Sequence, residues 1–271
     1  MRFAILNDIH YGEEERIENG IIRKFSKQSK ELTILALNNL NNYIRPEFVL
    51  VLGDLIESKD TKTDTRNLKY MKNLLENNSK IPIFYCIGNH EQRKLEPNSV
   101  KNILGMKNEY YSFDVEEYHF IVLYSIEVRL EKVESSYNYI DDKQVNWLKN
   151  KLKNTSKKTF IFVHHCLSDQ NLDGNLYFNN RENNCLLKNR KEIREIIEQS
   201  NNVICVFNGH IHWNRVDIHN SIPHITLQSL VENEDNKGAP ADTYTIVDID
   251  QNNLSIEVKG DYPQKYKFNI I

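Results

Sequence analysis

The chain has 271 residues and a formal net charge of −3, with 39% hydrophobic and 27% charged residues. These values predict one globular domain over residues 1–271, and they exclude a general electrostatic attraction to nucleic acid or to anionic membranes. The N-terminal residues lack a signal-peptide hydrophobic stretch, no run approaches the roughly 20 apolar residues of a membrane helix, and the four cysteines form no Cys-x-x-Cys pair. We therefore expect a cytoplasmic protein without a nucleic-acid or membrane partner, and its oligomeric state stays open.

Strands and helices alternate in the first half of the chain. Apolar runs predict buried strands, and apolar positions at helical spacing predict helices. The strands are predicted at 2–6, 48–52 and 81–87, the helices over 26–44 and around 68–75, and an irregular charged segment at 11–25. This order predicts a parallel sheet with crossover helices, and ligands of such sheets bind at the carboxyl ends of the strands.

The second half of the chain predicts a second sheet. A hairpin is predicted over 110–125, helices at 145–152 and 188–199, and strands at 159–163, 203–207, 215–219, 225–230, 243–249 and 254–258. No repeat or Pro-rich linker divides the chain. We therefore expect an α/β protein in which two sheets pack face to face with helices outside.

Polar side chains follow five of the predicted core strands. The motifs are Asp8-x-His10, Gly53-Asp54, Gly88-Asn89-His90-Glu91, His164-His165 and Gly209-His210-x-His212. A single such Asp or His usually caps a helix or lies on the surface, but five strand ends together predict a ligand site. Imidazoles and carboxylates suit borderline divalent metals, and the lack of thiolates argues against a closed structural zinc site. The groups exceed the needs of one ion, and a central Asp54 could bridge two.

In their order and spacing these motifs resemble those of the calcineurin-like metallophosphoesterases. The resemblance implies a four-layer α/β/β/α sandwich, the metallo-dependent phosphatase fold, in which two mixed β-sheets are flanked by helices. It also implies two divalent metal ions, which could be manganese, iron or zinc. The implied ligands are Asp8, His10 and His212 for the first ion, Asn89, His164 and His210 for the second, and Asp54 for both.

One departure from the family pattern concerns the fourth motif. The family often has Pro after its histidines, whereas Cys166 and Leu167 follow here. This leaves open whether His164 or His165 is the ligand, and the resemblance favours His164.

The resemblance implies an enzyme, a binuclear-metal-dependent phosphohydrolase. Its reaction would be attack by a metal-held hydroxide on a phosphodiester or phosphoanhydride bond of a small, nucleotide-type substrate. The catalytic set would be Asp54, Asn89 and His90, with His90 bound to no metal and able to protonate the leaving oxygen. A phosphomonoesterase or a cyclic-nucleotide phosphodiesterase is the alternative, and a nuclease or a non-catalytic scaffold of the same fold is less favoured.

A second resemblance covers less of the chain. Cys185-Leu-Leu-x-Asn189, residues 203–212, residues 224–233 and Val258-Lys-Gly260 resemble the manganese-dependent ADP-ribose/CDP-alcohol diphosphatase branch. The same residues also suit a shared scaffold, so both interpretations stay open. Side chains near the motifs are candidates for phosphate binding or base stacking. They are Tyr11, Arg93, His165, Arg181, Trp213 and Arg215.

Overall fold

The computed structural model of the protein describes residues 1–18, 20–130, 135–232, 239–250 and 252–270. Two six-stranded sheets face each other, and helices cover their outer faces. The strands are β1 (Arg2–Leu6), β2 (Arg16–Glu18), β3 (Ile21–Lys24), β4 (Val49–Val51), β5 (Ile83–Tyr85), β6 (Tyr111–Val115), β7 (Tyr118–Val122), β8 (Ile126–Leu130), β9 (Ser135–Tyr139), β10 (Lys158–Phe162), β11 (Val203–Asn208), β12 (Arg215–His219), β13 (Ile222–Thr226), β14 (Tyr244–Asp250), β15 (Asn253–Lys259) and β16 (Gln264–Asn269). The helices are α1 (Ser29–Asn39), α2 (Thr61–Asn78), α3 (Asn89–Gln92), α4 (Pro97–Leu104), α5 (Asp142–Lys153), α6 (Glu182–Cys185) and α7 (Arg190–Gln199), and Leu40–Ile44 continue α1 as a π-helical turn.

Both large sheets are mixed. The first has the order β16-β15-β14-β1-β4-β5, with β1, β4 and β5 parallel and β14 antiparallel to β1. The second has the order β12-β13-β11-β10-β7-β6, in which β13, β11, β10 and β7 are parallel and both edge strands are antiparallel. The parallel strands of each sheet therefore present their carboxyl ends at one edge.

Alternation along the strands divides the core into layers. Phe3 and Ile5 of β1 point between the sheets, whereas Ala4 and Leu6 point toward α1 and α2. The Phe3 ring stacks on Phe48 of the same sheet at 5.0 Å. Its other aromatic neighbours come from the opposite sheet, so the two sheets are joined by ring contacts at right angles. The predicted four-layer α/β/β/α architecture is confirmed.

Two helices that cover the sheets begin at acidic capping residues. The Asp60 carboxylate accepts a hydrogen bond from the Thr63 N–H at 2.9 Å and begins α2. The Asp141 carboxylate does the same for the Gln144 N–H at 2.7 Å and begins α5. Each carboxylate satisfies one backbone donor that the helix itself leaves unpaired.

The prediction of an irregular segment at 11–25 is wrong, because β2 and β3 form a two-stranded ribbon there. Ile17 and Ile21 of this ribbon are 60% and 48% exposed. The ribbon therefore lacks the alternation of buried apolar and exposed polar residues by which a strand is recognised in a sequence. The ribbon of β8 and β9 and the edge strand β16 were also not predicted. Among the described residues, no helix is both long and apolar enough to cross a membrane.

His224 should make the stability of this fold depend on pH. Its buried ring lies 5.0 Å from the His219 ring, and neither nitrogen of His224 has a hydrogen-bond partner among the described residues. Burial, together with nearby His219 and Arg194, lowers the pKa of His224 to about 3. The unfolded chain binds this proton below pH about 6.5, whereas the folded protein does not. The free energy of unfolding therefore falls as the pH falls from about 6.5 toward about 3.

His224→Leu removes this titration, and its packing cost does not depend on pH. Between pH 7 and pH 5 the free energy of unfolding of the wild type should fall by about 2 kcal/mol more than that of the variant. Denaturant unfolding at the two pH values measures the difference. Parallel pH dependences of the two proteins would contradict the prediction.

Candidate metal centre

The motifs singled out in the sequence lie together where parallel strands of both sheets end. Each follows β1, β4, β5, β10 or β11. The seven candidate ligands are buried, namely Asp8, His10, Asp54, Asn89, His164, His210 and His212. Five of them have a left-handed backbone, with φ of 48° at Asp8, 46° at His10, 51° at Asp54, 68° at His210 and 59° at His212. This conformation costs a non-glycine residue about 1–3 kcal/mol and concentrates at functional sites.

Two glycines allow the loops to approach this closely. A side chain at Gly88 would overlap the carboxylate of Asp54, and a side chain at Gly209 would overlap the amide of Asn7 and the carboxylate of Asp8. The loops after β5 and β11 therefore pack directly against the loops after β4 and β1.

Asp8, His10 and His212 form the first cluster. His212 Nε2 lies 3.1 Å from His10 Nε2 and 3.2 Å from Asp8 Oδ1. Asp8 Oδ2 accepts the His210 N–H at 2.9 Å, whereas Asp8 Oδ1 has no hydrogen-bond partner among the described residues. Two imidazole nitrogens and one carboxylate oxygen thus face a common point, and the three side chains could hold a metal ion.

Asn89, His164 and His210 form the second cluster, next to Asp54. His164 Nε2 lies 3.1 Å from Asn89 Oδ1 and 3.3 Å from Asp54 Oδ2. The same inward atom of the Asn89 amide lies 3.0 Å from His210 Nδ1. With the amide oxygen inward, these side chains enclose a place for a cation. With the amide reversed, its nitrogen would satisfy the same acceptors by hydrogen bonds without one.

Asp54 lies between the clusters. Its Oδ2 is 3.6 Å from His10 Nε2 in the first cluster and 3.3 Å from His164 Nε2 in the second. Its Oδ1 accepts the His90 N–H at 2.8 Å. One carboxylate oxygen is thus fixed by the backbone and the other faces both clusters.

Each of the four clustered imidazoles has one nitrogen fixed from outside. His164 Nδ1 donates to the Leu52 carbonyl at 2.9 Å, and His210 Nε2 donates to the Asn184 carbonyl at 3.0 Å. The Nδ1 atoms of His10 and His212 lie 3.1 Å and 2.5 Å from the carboxylates of Glu57 and Glu232. In the neutral form of each ring the other nitrogen carries a lone pair directed inward, which is the usual arrangement around a metal. The donor set therefore fits two divalent ions.

The two histidines of the fourth motif differ in orientation. His164 points into the centre, between Asp54 and Asn89. His165 Nδ1 is 2.6 Å from the Ser125 hydroxyl, and its ring packs 4.3 Å from that of His210. His165 Nε2 has no hydrogen-bond partner among the described residues, and nitrogens of His164, His165 and His210 also lie close enough together to hold a metal ion.

Glu91, the last residue of the third motif, fixes the backbone around Asp54. Its buried carboxylate accepts the N–H groups of Asp54 at 3.0 Å, Leu55 at 2.8 Å and Gly88 at 2.8 Å. Burial and the nearby Asp54 carboxylate raise the pKa of Glu91 to about 7. The carboxyl group thus ties the loop after β4 to the loop after β5.

His90 lies beside the clusters and lines the cleft above them. The Ser58 N–H lies 3.1 Å from His90 Nδ1 and Arg93 Nη1 lies 2.8 Å from His90 Nε2, so two donors compete for the one acceptor nitrogen of the neutral ring. Burial, together with the adjacent Arg93, keeps the pKa of His90 well below its usual value. A neutral imidazole with its N–H toward the cleft can donate to a bound oxygen.

Three charged residues at the site were not singled out in the sequence. Lys24 and Glu57 form an ion pair of 3.1 Å beside His10. Glu127 of β8 lies 3.3 Å from Arg93 Nε and 3.4 Å from Asn89 Nδ2. None of the three belongs to a motif, whereas Glu232 lies in the segment 224–233.

Glu232 connects the first cluster to the wall of the cleft. Its Oε2 lies 2.5 Å from His212 Nδ1, and its Oε1 lies 3.4 Å from Arg23 Nε. The Arg23 guanidinium in turn lies 3.7 Å from the centre of the Tyr177 ring. Burial opposes protonation of His212, but the carboxylates of Glu232 and Asp8 outweigh it and raise the pKa of His212 to about 9.

A cleft of about 1000 Å³ opens over both clusters. Eight Lys or Arg and four Asp or Glu side chains line it, although the whole chain carries a net charge of −3. Phe178 also lines the cleft, with its ring 5.2 Å from that of His210. The cleft is therefore positively charged around a floor of metal-ligating groups.

The candidate substrate contacts are divided between the cleft and the scaffold. Arg93 and Arg181 line the cleft. Tyr11 stacks on Tyr70 at 4.9 Å, and Trp213 is buried with its Nε1 donating to Gln170. Arg215 lies against the Trp213 ring at 4.2 Å. The side chains of Tyr11, Trp213 and Arg215 are thus held by neighbours outside the cleft, whereas His165 packs against His210 beside the second cluster. Asn233, the last residue of the segment 224–233, lies outside the described residues.

Comparison with protein families gives one match. The model of the calcineurin-like phosphoesterases matches residues 1–214, a range that contains all five motifs. Among curated proteins, none is significantly similar to the chain.

Several solved structures share the fold. A dimetal phosphatase from Danio rerio has a TM-score of 0.78 at 17% identity, and the match covers 100% of this chain and 99% of the phosphatase chain. GAP50, the anchor in the inner membrane complex of Plasmodium, has a TM-score of 0.63 at 16% identity, and the match covers 100% of this chain and 89% of the GAP50 chain. The phosphopantetheinyl hydrolase of Mycobacterium tuberculosis has a TM-score of 0.53 at 12% identity, and the match covers 84% of this chain and 89% of the hydrolase chain. At these identities the likeness shows the fold alone.

Glu232→Gln should weaken metal binding. The carboxylate orients His212 and makes its Nε2 a better electron-pair donor, and loss of such a partner typically lowers metal affinity by about 10–100-fold. Titration calorimetry of the metal-free protein with Mn²⁺ measures the change. Glu195→Gln, on the exposed face of α7, is the matched control and should bind as the wild type does. Equal affinities of Glu232→Gln and the control would show that Glu232 does not support the site.

Proposed function

The chain belongs to the calcineurin-like phosphoesterases, and we propose that within this family it is a binuclear-metal-dependent phosphohydrolase of small, nucleotide-type substrates. The bond cleaved is a phosphodiester or a phosphoanhydride. The observation that carries this proposal is the convergence of two buried clusters on the shared carboxylate of Asp54, under a positively charged cleft.

Each candidate ligand has a proposed place. Asp54 holds both ions, and the remaining six side chains divide between the two clusters. They are Asp8, His10 and His212 for the first ion, and Asn89, His164 and His210 for the second. When bound, the ions would supply an activated water and positive charge for the phosphate oxygens. Mixed nitrogen and oxygen ligands accept manganese, iron or zinc, so the metal used would follow from its supply.

His90 is the proposed acid. In the tautomer in which Nδ1 accepts the Ser58 N–H, the ring hydrogen is on Nε2 and is available to the cleft. The proton can therefore pass to the oxygen that leaves phosphorus, and solvent can restore it. The Asp54 carboxylate fixes the His90 backbone through a hydrogen bond of 2.8 Å, which holds the ring at the edge of the metal centre.

The cleft supports a small anionic substrate. Its volume of about 1000 Å³ lies within the usual size of small-molecule sites. Arg93 and Arg181 can bind a second phosphate, and the partly exposed ring of Phe178 can stack on a base. Both features favour the diphosphatase branch, with hydrolysis of a phosphoanhydride in a nucleotide-linked diphosphate.

Two other roles are weighed against this proposal. A phosphomonoesterase or cyclic-nucleotide phosphodiesterase would use the same metal centre, and only the substrate distinguishes it. An anchoring role, as GAP50 has in Plasmodium, would not require seven convergent ligands and a cleft. We favour catalysis because this chain retains both. We further propose a cytoplasmic location, supported by the four cysteines, which are buried free thiols.

A substrate screen tests the proposal. The protein, first stripped of metal and then supplied with Mn²⁺, is assayed with bis-p-nitrophenyl phosphate, p-nitrophenyl phosphate, ADP-ribose, CDP-choline and 2′,3′-cyclic nucleotides. We expect activity only after metal is added, with a preference for the diester or the nucleotide diphosphates. A preference for p-nitrophenyl phosphate would show that the bond cleaved is a phosphomonoester. A lack of hydrolysis with every substrate would refute the proposed enzymatic activity.

His90→Ala tests the proposed acid. The ring makes no predicted metal bond, so the variant should bind two metal ions per chain as the wild type does. Its kcat should fall by about 10²–10⁴-fold, the usual contribution of a general acid. Metal analysis and steady-state kinetics on the preferred substrate measure both quantities. A metal-replete variant with wild-type kcat would remove His90 from the mechanism.

A further inference from the structure

Lys24 is an ammonium group buried beside the candidate metal centre. It is the last residue of β3 and only 5% exposed. Its Nζ lies 3.1 Å from Glu57 Oε2 and 3.3 Å from His10 Nδ1. A buried ion pair rarely adds stability over an apolar pair of the same size, so stability alone does not account for Lys24.

Three hydrogen-bond donors surround the ring of His90. Lys24 Nζ lies 3.5 Å and Arg93 Nη1 lies 2.8 Å from His90 Nε2, and the Ser58 N–H lies 3.1 Å from His90 Nδ1. A neutral imidazole has one acceptor nitrogen, so the ring cannot accept from both of its sides at once. The two cations therefore have hydrogens left for a further acceptor in the cleft, and an anionic oxygen suits them.

The donors are held in place by partners on their far sides. Arg93 Nε lies 3.3 Å from Glu127, which leaves Nη1 directed at His90. Glu57 accepts one hydrogen bond from Lys24, which leaves the other hydrogens of the ammonium group available to the cleft. The two cations come from separate elements, one after α3 and the other at the end of β3. Such fixed donors stabilise developing charge without reorganisation.

The negative charge that these donors would stabilise develops on the oxygen that leaves phosphorus. Electron-pair donors gather around Asp54 and its two clusters, whereas hydrogen donors gather around His90, whose Nε2 is 3.9 Å from Asp54 Oδ2. We propose that Lys24 is a further catalytic residue, whose ammonium group stabilises the oxygen that leaves phosphorus. This inference rests on the proposed phosphohydrolase activity.

The step is balanced with water as the only co-reactant. Phosphorus gains an oxygen from water, and the bond to the leaving oxygen breaks with its electron pair on that oxygen. The leaving oxygen takes the His90 proton, and a proton of the attacking water returns to His90 through solvent. Lys24 keeps all its hydrogens and contributes charge only.

Lys24→Met tests the inference through the basicity of the leaving group. Aryl phosphate esters of the class that the wild type prefers are compared, one releasing p-nitrophenolate and the other the more basic phenolate. Loss of the ammonium charge beside the leaving oxygen should lower kcat/KM by about 10-fold for the ester that releases p-nitrophenolate. The loss should be about 10²–10³-fold for the ester that releases phenolate. A purely structural role would lower both values by the same factor.

Controls separate this result from misfolding and from failure of the proposed activity. Lys27→Met removes an exposed cation three residues away and should behave as the wild type. Lys24→Gln keeps a hydrogen bond to Glu57 and repeats the comparison if Lys24→Met does not fold. Equal loss for both leaving groups, or no loss, in a variant with two metal ions per chain overturns the inference. A wild type that hydrolyses neither these esters nor any substrate of the screen overturns the proposed function, and this inference with it.

Discussion

The carboxylate of Asp54 is the point on which the candidate centre depends. Its backbone is left-handed and its N–H is bound by Glu91, so the side chain has one direction available. Oδ1 is bound by the His90 N–H, which leaves Oδ2 between the two clusters. A single buried oxygen therefore sets the distance between the clusters and, through His90, the distance to the cleft.

Burial makes this arrangement costly unless a cation joins it. Seven ligand side chains are withdrawn from water, and Asp8 Oδ1 has no hydrogen-bond partner in the described part of the chain. A buried polar group without a partner costs about 1–3 kcal/mol. The left-handed backbones at five ligands add to the cost. The two six-stranded sheets, joined through an aromatic core, supply the stability that holds the ligands in position.

How much the sequence reveals follows from where each residue lies. The ligands directly follow buried strands at fixed spacing, so Asp8 and His10 or His210 and His212 are recognisable beside an apolar run. Lys24 and Glu127 come from small two-stranded ribbons with exposed apolar residues, and no periodicity marks these ribbons. Trp213 illustrates the opposite error: it is next to a ligand in the chain, but the turn after His212 sends its ring into the scaffold. Proximity in sequence predicts which side chains converge at the strand ends, because a strand end fixes them, and it predicts the cleft wall poorly.

The wall and the floor of the cleft differ in chemical character, and this difference would orient a bound phosphate ester. Lone pairs from imidazoles and carboxylates converge on the floor, where divalent cations would satisfy them. Hydrogen donors converge around His90 on the wall, where an anionic oxygen would accept from them. A phosphate ester meets both needs at once, because its oxygens can bind cations on one side and accept hydrogen bonds on the other. The carboxylates of Glu57 and Glu127 keep the two regions distinct, since each faces both a cation of the wall and a ligand of the floor. The order of bond making and breaking would then follow from the fold, with water activated over Asp54 and charge released toward His90.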